Sequence, residues 1–210
     1  MLNKLIIAPH VDDDVLGCGG IIKNDTFVLY CGLNESDLID RPSMKVRLNE
    51  ADRVALYLGH TYSLLENKVN HYTIPDLIAS IENVINEVQP EEIYIPYPSY
   101  NQDHRVAYDA SLVALRPHDR NFFVKKVFVY EQPHVFLWDY SHQIEGCFKP
   151  NYYKPIDIDR KITAYEMMET QVRTFRSSAM IRSLAHLRGA QSGLEYAESF
   201  KIIRFIEQEQ

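Results

Sequence analysis

The stretch that decides the fold is residues 5–20, which read LIIAPHVDDDVLGCGG. Its first four residues are apolar and typical of a buried β-strand, and a helical pattern follows the polar residues. A dinucleotide-binding turn would place glycines directly after the strand. Here His10 and three aspartates occupy that position, where the carboxylates would repel a pyrophosphate. We therefore expect no nucleotide cofactor, and we expect the glycines of residues 17–20 to allow close packing of a helix on a strand.

Short apolar runs alternate with helix-period patterns along the first 130 residues. The apolar runs lie at residues 5–8, 27–30, 93–95 and 127–130. Amphipathic helices are predicted over residues 51–58, 77–88 and 106–114. Gly59 follows the first of them at the position where helices commonly end. Strands alternating with helices at this spacing predict βαβ units, and so an α/β protein with a Rossmann-like, mostly parallel sheet flanked by helices.

The second half of the chain is less regular, because prolines divide it into short pieces. A helix is predicted over residues 160–176 and a closing strand over residues 202–206. No internal repeat or flexible linker is evident. We therefore expect residues 1–210 to form a single domain, in which the irregular half from about residue 131 shapes the pocket.

The composition excludes several classes of partner. The 210 residues include 22 Lys and Arg against 29 Asp and Glu, a net charge of −7. This balance argues against binding to nucleic acid or to an anionic membrane. No run approaches the roughly 18 apolar residues of a membrane span. Three widely spaced cysteines exclude a disulfide framework and a cysteine zinc cage, so we expect a cytoplasmic protein. The oligomeric state, including a homo-oligomer, stays open.

Two clusters of metal-binding residue types follow predicted strands. Capping preferences and the helix dipole explain one or two of the aspartates after the first strand. They explain three adjacent carboxylates less well, because like charges repel unless a cation intervenes. The second cluster, residues 97–105, reads YPSYNQDHR. Since strand ends converge on one crevice in an open α/β sheet, we expect His10, Asp13 and His104 to hold one metal ion. Such a set leaves a position for water, as catalytic zinc sites require.

The same clusters resemble the signatures of a known family. Residues 9–14 resemble the PHxDDE motif of the LmbE-like (PIG-L) metal-dependent N-acetylglucosaminyl deacetylases, and residues 101–104 resemble their HxDH motif. Further matches follow in the family's order along nearly the whole chain. They are Arg47 to Ala51 with Leu58-Gly59, then Lys161, Ala164 and Gln171, then Gly189 and Tyr196 to Phe200.

The resemblance implies a fold, an activity and a site. His10, Asp13 and His104 match the family's metal ligands, Asp12 matches its general base, and Arg47 matches an arginine that helps to hold the sugar. Family members use Zn²⁺, and some accept Fe²⁺, which the nitrogen and oxygen ligands permit. They hydrolyse the N-acetyl group of amino sugars attached to an inositol, a thiol carrier precursor, a lipid or an antibiotic core.

Two residues depart from the family's pattern. Asp14 stands where the signature has glutamate, a shorter side chain of the same charge. Asn101 stands where the HxDH motif begins with a histidine, and an asparagine can bond to an oxyanion but cannot donate a proton as an acid. We therefore predict that Asp12 returns the proton to the leaving amine, or that His134 or His142 takes over.

Other candidates complete the predicted site. Asp103 is expected to cap its helix and orient a ligand histidine, with a bare capping role left open. Tyr100 and His134 are candidates for contact with the substrate. The remaining histidines at positions 60, 71, 118 and 186 are predicted to be surface or helix-end residues. Two alternatives stay open: an amidase that acts on a larger amino-sugar conjugate with the same metal centre, and a catalytically silent sugar- or metal-binding protein.

Overall fold

A computed structural model describes residues 2–34, 42–133 and 148–207. These residues include seven strands of one sheet. The strands are β1 (Lys4–Ala8), β2 (Thr26–Asn34), β3 (Thr61–Lys68), β4 (Glu92–Pro96), β5 (Lys126–Tyr130), β6 (Tyr152–Pro155) and β7 (Ala197–Phe205). Their order across the sheet is β3-β2-β1-β4-β5-β7-β6. The neighbouring pairs from β3 to β5 are parallel, and β7 is antiparallel to both β5 and β6. The predicted mostly parallel α/β sheet is confirmed.

Six α-helices of the described residues flank this sheet. They are α1 (Asp13–Cys18), α2 (Met44–Leu58), α3 (Ile74–Val88), α4 (Gln102–Ala114), α5 (Ile158–Glu166) and α6 (Ser178–Ser192), with a 3₁₀ turn at Thr174–Arg176. Alternate residues of β1 enter two cores, one with α3 and α4 and one with the other helices. A strand that is covered on both faces has apolar residues at consecutive positions, which is why the sequence predicted β1 clearly. In the described ranges, no helix is long and apolar enough to cross a membrane.

The structure differs from the sequence prediction in the second half. The helix predicted over residues 160–176 ends at Glu166, and residues 167–173 form a turn and a loop before the 3₁₀ turn. Helix α6 was missed because it buries few apolar side chains; its buried set, Ile181, Ala185, Arg188 and Gly189, includes a charge and a glycine. Strands β3 and β6 were also missed. Both lie at sheet edges and are only partly buried, so neither carries a strong apolar pattern.

The glycines after the first cluster act in packing, as expected. A Cβ atom at Gly17 would lie 2.2 Å from the ring of Tyr130 on β5. A Cβ atom at Gly20 would lie 2.4 Å from the side chain of Ile156. Neither contact is tolerable, so only glycine lets α1 and the turn that follows it pack this closely.

Two of the family-like residues in the second half, Lys161 and Glu198, tie α1 to strand β7. Lys161 on α5 donates to the carbonyl of Leu16 at 2.8 Å and to Glu198 Oε1 at 2.6 Å. The same Glu198 oxygen accepts the backbone N–H of Gly20 at 2.7 Å. This buried ion pair fixes α1, whose first residue, Asp13, belongs to the candidate site.

Candidate metal centre and its pocket

The candidate site lies beside β1, at the point in the sheet where the strand order reverses. β1 pairs with β2 on one side and with β4 on the other, so the segments after β1 and β4 leave neighbouring strands at the same edge. In open α/β sheets such a switch point is where ligands bind. The chain follows β1 with His10, Asp12 and Asp13, and it follows β4 with Asn101 and His104.

Three donor side chains converge at this edge. Asp13 Oδ2 lies 3.2 Å from His10 Nδ1 and 3.3 Å from His104 Nε2, and the three donor groups all lie within 4.8 Å of one another. Ligands at about 2.1 Å from a tetrahedral zinc ion lie roughly 3.4 Å apart. The structure therefore brings together the three residues predicted as ligands, and the two distances from Asp13 fit such an ion.

Asp103 orients His10 by bonding the ring nitrogen that does not face Asp13. Its Oδ2 lies 3.0 Å from His10 Nε2 and also accepts the backbone N–H of Asn70 at 2.7 Å. Burial alone would lower the pKa of His10, but its hydrogen bonds with Asp103 and Asp13 outweigh burial and raise the pKa to about 10. The two carboxylates beside this imidazole thus favour positive charge at the ring. A metal ion held by Nδ1 would supply positive charge there and leave Nε2–H to donate to Asp103, a common arrangement in metal sites.

Asp13 is held as an anion. Burial alone would raise its pKa, but His104 and His10 hold the pKa of Asp13 well below its usual range. Its second oxygen, Oδ1, accepts a hydrogen bond of 2.7 Å from Gln132 Nε2, directly after β5. Sequence reasoning singled out this stretch for His134 instead, which lies outside the described residues. The position after a third parallel strand was the signal that could have indicated Gln132.

Asp12 is a buried carboxylate beside the three donors, and it pairs with an arginine. Its Oδ2 lies 2.9 Å from Arg176 Nη1. Burial raises the pKa of Asp12 above its usual range, and the positive charges of Arg176 and Arg47 oppose that rise. Sequence reasoning missed Arg176, because it placed this residue at the end of a helix rather than in the 3₁₀ turn that faces the site.

These residues share one pocket of about 460 Å³. Arg47, predicted to hold a sugar, enters its wall from α2 and is 3% exposed. At the rim lie Tyr100, 50% exposed, and Phe175, 57% exposed, together with Arg173. Of the predicted substrate-contacting residues, Arg47 and Tyr100 thus line the same pocket as the three donors, and His134 lies outside the described residues.

A comparison with protein-family models matches residues 5–115 to PIG-L, described as GlcNAc-PI de-N-acetylase. The match spans more than half of the 210 residues and includes both clusters that build the site. The chain belongs to the PIG-L family.

Solved structures share the fold of this PIG-L family member. A conserved protein from Thermus thermophilus matches with a TM-score of 0.79 and 20% identity, covering 100% of this chain and 98% of that one. The N,N'-diacetylchitobiose deacetylase of Pyrococcus horikoshii matches with 0.74 and 20%, covering 96% and 84%. The 4-carboxy-2-hydroxymuconate hydratase GalB of Pseudomonas putida matches with 0.76 and 18%, covering 100% and 99%. At these identities the likeness establishes the fold alone.

The third aspartate of the PIG-L motif faces away from the pocket. Asp14 Oδ2 accepts a hydrogen bond of 2.9 Å from Tyr30 and lies 3.9 Å from His60 Nε2. Burial raises the pKa of Asp14 to about 7. His60 was predicted as a surface or helix-end residue. It does follow α2, but it is buried, and burial together with the charge of Arg160 lowers its pKa to about 4.

Asn101, the main departure from the PIG-L pattern, caps α4. Its Oδ1 accepts the backbone N–H of Asp103 at 2.9 Å, and the residue also lines the pocket. The expectation that Asp103 caps this helix is therefore wrong. Asp103 lies in the first turn of α4, and its side chain contacts His10 instead.

The cap gives a first testable expectation. Asn101→Ala should lower the free energy of unfolding by about 1 kcal/mol, because the N–H of Asp103 loses its acceptor. Asn101→Asp keeps the acceptor and should stay close to the wild type. Urea unfolding followed by circular dichroism measures both values. Equal stability of Asn101→Ala and the wild type would contradict the capping role, and unchanged turnover of the alanine variant would count against a catalytic one.

Proposed function

We propose that this protein is a zinc-dependent hydrolase that removes the N-acetyl group from an N-acetylglucosamine-type amino-sugar derivative. One observation carries the proposal. Asp12 is a buried carboxylate outside the three-donor set, yet it lines the same pocket as His10, Asp13 and His104. A protein that only bound a metal or a sugar would have no need of a further carboxylate beside the donors. A hydrolase needs one to accept the proton of the attacking water.

The donor set fits the metal that this chemistry requires. Two imidazoles and one carboxylate suit zinc, and they also permit ferrous iron. When bound, Zn²⁺ supplies a Lewis acid for the acetyl carbonyl and lowers the pKa of the attacking water towards about 7. An acetamide is a poor electrophile and water is a poor nucleophile, so both forms of help are needed.

The side chains then divide the remaining work. Asp12 accepts the proton of the attacking water at its carboxylate and returns it to the nitrogen of the leaving amine. We assign this return to Asp12, because Asn101 has no acidic proton to give and the other two candidates, His134 and His142, lie outside the described residues. Asp103 keeps His10 in one orientation, and Arg47 hydrogen-bonds the sugar. Tyr100 at the rim offers an aromatic face on which a sugar ring can stack.

The family description and one structural neighbour support the proposed substrate class. The family is described by its action on GlcNAc-PI, and one protein of the same fold is an N,N'-diacetylchitobiose deacetylase. We assign to this chain a cytoplasmic location, a small-molecule substrate and a single domain over residues 1–210. The contribution of Gln171, Arg173, Phe175 and Arg176 to the pocket supports a shaping role for the half beyond residue 131.

A second function shares the same centre. The pocket is open at a rim with two exposed aromatic side chains, which favours an amidase on a larger amino-sugar conjugate as the alternative. The fold by itself does not decide the reaction, since GalB, a hydratase, has it too.

An acyl-release screen separates these functions. Zinc-loaded protein is incubated with N-acetylglucosamine derivatives and with analogues that carry a bulkier acyl group, and the released acid and the free amine are both quantified. We expect acetate and amine in equal amounts from at least one N-acetyl derivative. Release of only the bulkier acid would favour the amidase, and no release from any compound would contradict the proposed hydrolase.

A further inference from the structure

Asp12, the proposed general base, forms a mostly buried ion pair with Arg176. In their ion pair, Arg176 Nη1 and Asp12 Oδ2 are 2.9 Å apart, with side-chain exposures of 15% and 5%. Arg116 and Glu82 form a pair at the same distance on the surface, where the exposures are 49% and 23%. Surface pairs contribute little, because water screens them, whereas a pair withdrawn from water holds its geometry more firmly.

The loop that carries Arg176 is itself anchored to α2. Glu50 accepts two hydrogen bonds from Thr170, one from the backbone N–H at 2.8 Å and one from Oγ1 at 2.5 Å. The next residue, Gln171, is held by Tyr165, whose hydroxyl donates to its carbonyl at 2.9 Å. Gln171 Oε1 in turn lies 3.5 Å from Arg176 Nη2. Arg47 and Glu50, three residues apart on α2, therefore both serve the pocket: Arg47 lines it, and Glu50 anchors the loop that carries Arg176.

The position of Asp12 next to the three donors raises the question of what keeps its carboxylate from binding the metal ion as well. Asp12 is adjacent in sequence to the ligand Asp13, and carboxylates are themselves good zinc ligands. A fourth protein ligand would close the position that a catalytic ion must keep open for water. An arginine bonded to one oxygen of Asp12 competes with the ion for that carboxylate.

We infer that Arg176 is a positioning residue that holds Asp12 off the metal ion, so that the carboxylate serves as a base rather than as a fourth ligand. The inference rests on the proposed function for the role of Asp12, but its main consequence is a change in metal affinity. In this role Arg176 acts through Asp12. Glu50 and Thr170 support it by fixing the loop.

Zinc affinity gives the first test, and it needs no substrate. Zinc is titrated into metal-free protein in competition with a chromophoric chelator. Arg176→Gln should bind zinc about tenfold more tightly than the wild type, because a positive charge is removed and Asp12 is released to the ion. Arg176→Lys, which keeps the charge, should stay within about threefold of the wild type. The matched control Arg116→Gln should not change the affinity.

A double-mutant cycle shows whether the effect passes through Asp12. In Asp12→Asn/Arg176→Gln most of the gain in zinc affinity should disappear relative to Asp12→Asn, because the amide is a much poorer ligand than the carboxylate, and only the part due to the removed positive charge should remain. Turnover should fall by about 10²-fold in Arg176→Gln with little change in KM, as expected when a reacting group is misplaced. Adding Arg176→Gln to Asp12→Asn should then cause little further loss.

The outcomes separate this inference from the proposed function. Unchanged or weaker zinc binding by Arg176→Gln would overturn the inference, as would a raised KM with unchanged kcat, which would make Arg176 a substrate-binding residue. If the zinc cycle behaves as expected but no acyl compound is hydrolysed, the proposed function fails and the positioning role stands. Should Arg176→Gln not fold, Thr170→Val tests the same path, with a smaller gain in zinc affinity expected and an unchanged affinity counting against it.

Discussion

Asp12→Asn should lower turnover by about 10³-fold while the protein still binds zinc, since a general base contributes roughly 10²–10⁴ to the rate. The reason is the separation of roles in the pocket. His10, Asp13 and His104 provide donors that converge within 4.8 Å, and Asp12 stands outside that set in an ion pair with Arg176. The substitution removes the proton acceptor but leaves all three donors in place.

Kinetics and metal analysis on the same preparation measure this expectation. The matched control is Asp109→Asn, an exposed position on α4, which should keep both turnover and metal. A variant at position 12 that lost zinc as completely as it lost activity would contradict the division of labour, because Asp12 would then be a ligand.

His104→Ala should abolish stoichiometric zinc binding and lower turnover by at least about 10⁴-fold, since a metal ion supplies several kcal/mol of transition-state stabilisation. His104 is buried, and its Nε2 lies 3.3 Å from Asp13 Oδ2, so the substitution removes one of the three converging donors. Treatment of the wild type with a chelator should give the same loss, and added zinc should restore activity to the wild type but not to the variant.

The control for this variant is another histidine-to-alanine change. His186 is exposed on α6 and does not line the pocket, so His186→Ala should retain zinc and turnover. If His104→Ala bound one zinc ion per chain as tightly as the wild type, the proposed donor set would be wrong.

The sequence could predict those site residues whose positions follow from the order of the strands in the sheet. The apolar run of β1 is continuous because the strand is covered on both faces, and it identifies the parallel sheet. Once the sheet was known, the segments that follow two of its strands had to meet at one edge. That argument brought His10 and Asp13 together with His104, more than ninety residues later in the chain.

Sequence reasoning could not find the residues whose position depends on tertiary contacts. Arg176 lies in a stretch with an apparent helical pattern, and the true path of that stretch is set by Glu50, which binds Thr170 from another helix. No local pattern reports such a contact. Gln132 was missed for a different reason, because an amide that bonds a ligand carboxylate looks like any polar residue after a strand.

Asn101 is both a helix cap and a residue of the pocket wall. Its oxygen caps α4, the helix that carries His104, and its side chain lines the pocket. A histidine is a poorer cap than an asparagine, so the departure from the family's motif improves the helix start while it removes an acid. We therefore assign both proton transfers to Asp12.

Anomalous diffraction at the zinc absorption edge, from crystals of zinc-loaded protein, tests the central claim most directly. We predict one strong peak per chain at about 2.0–2.2 Å from His10, Asp13 and His104, with the Asp12 carboxylate bonded to Arg176 and outside coordination distance. A protein with no anomalous peak at these residues, or with Asp12 bound to the ion as a fourth ligand, would contradict the proposed metal centre.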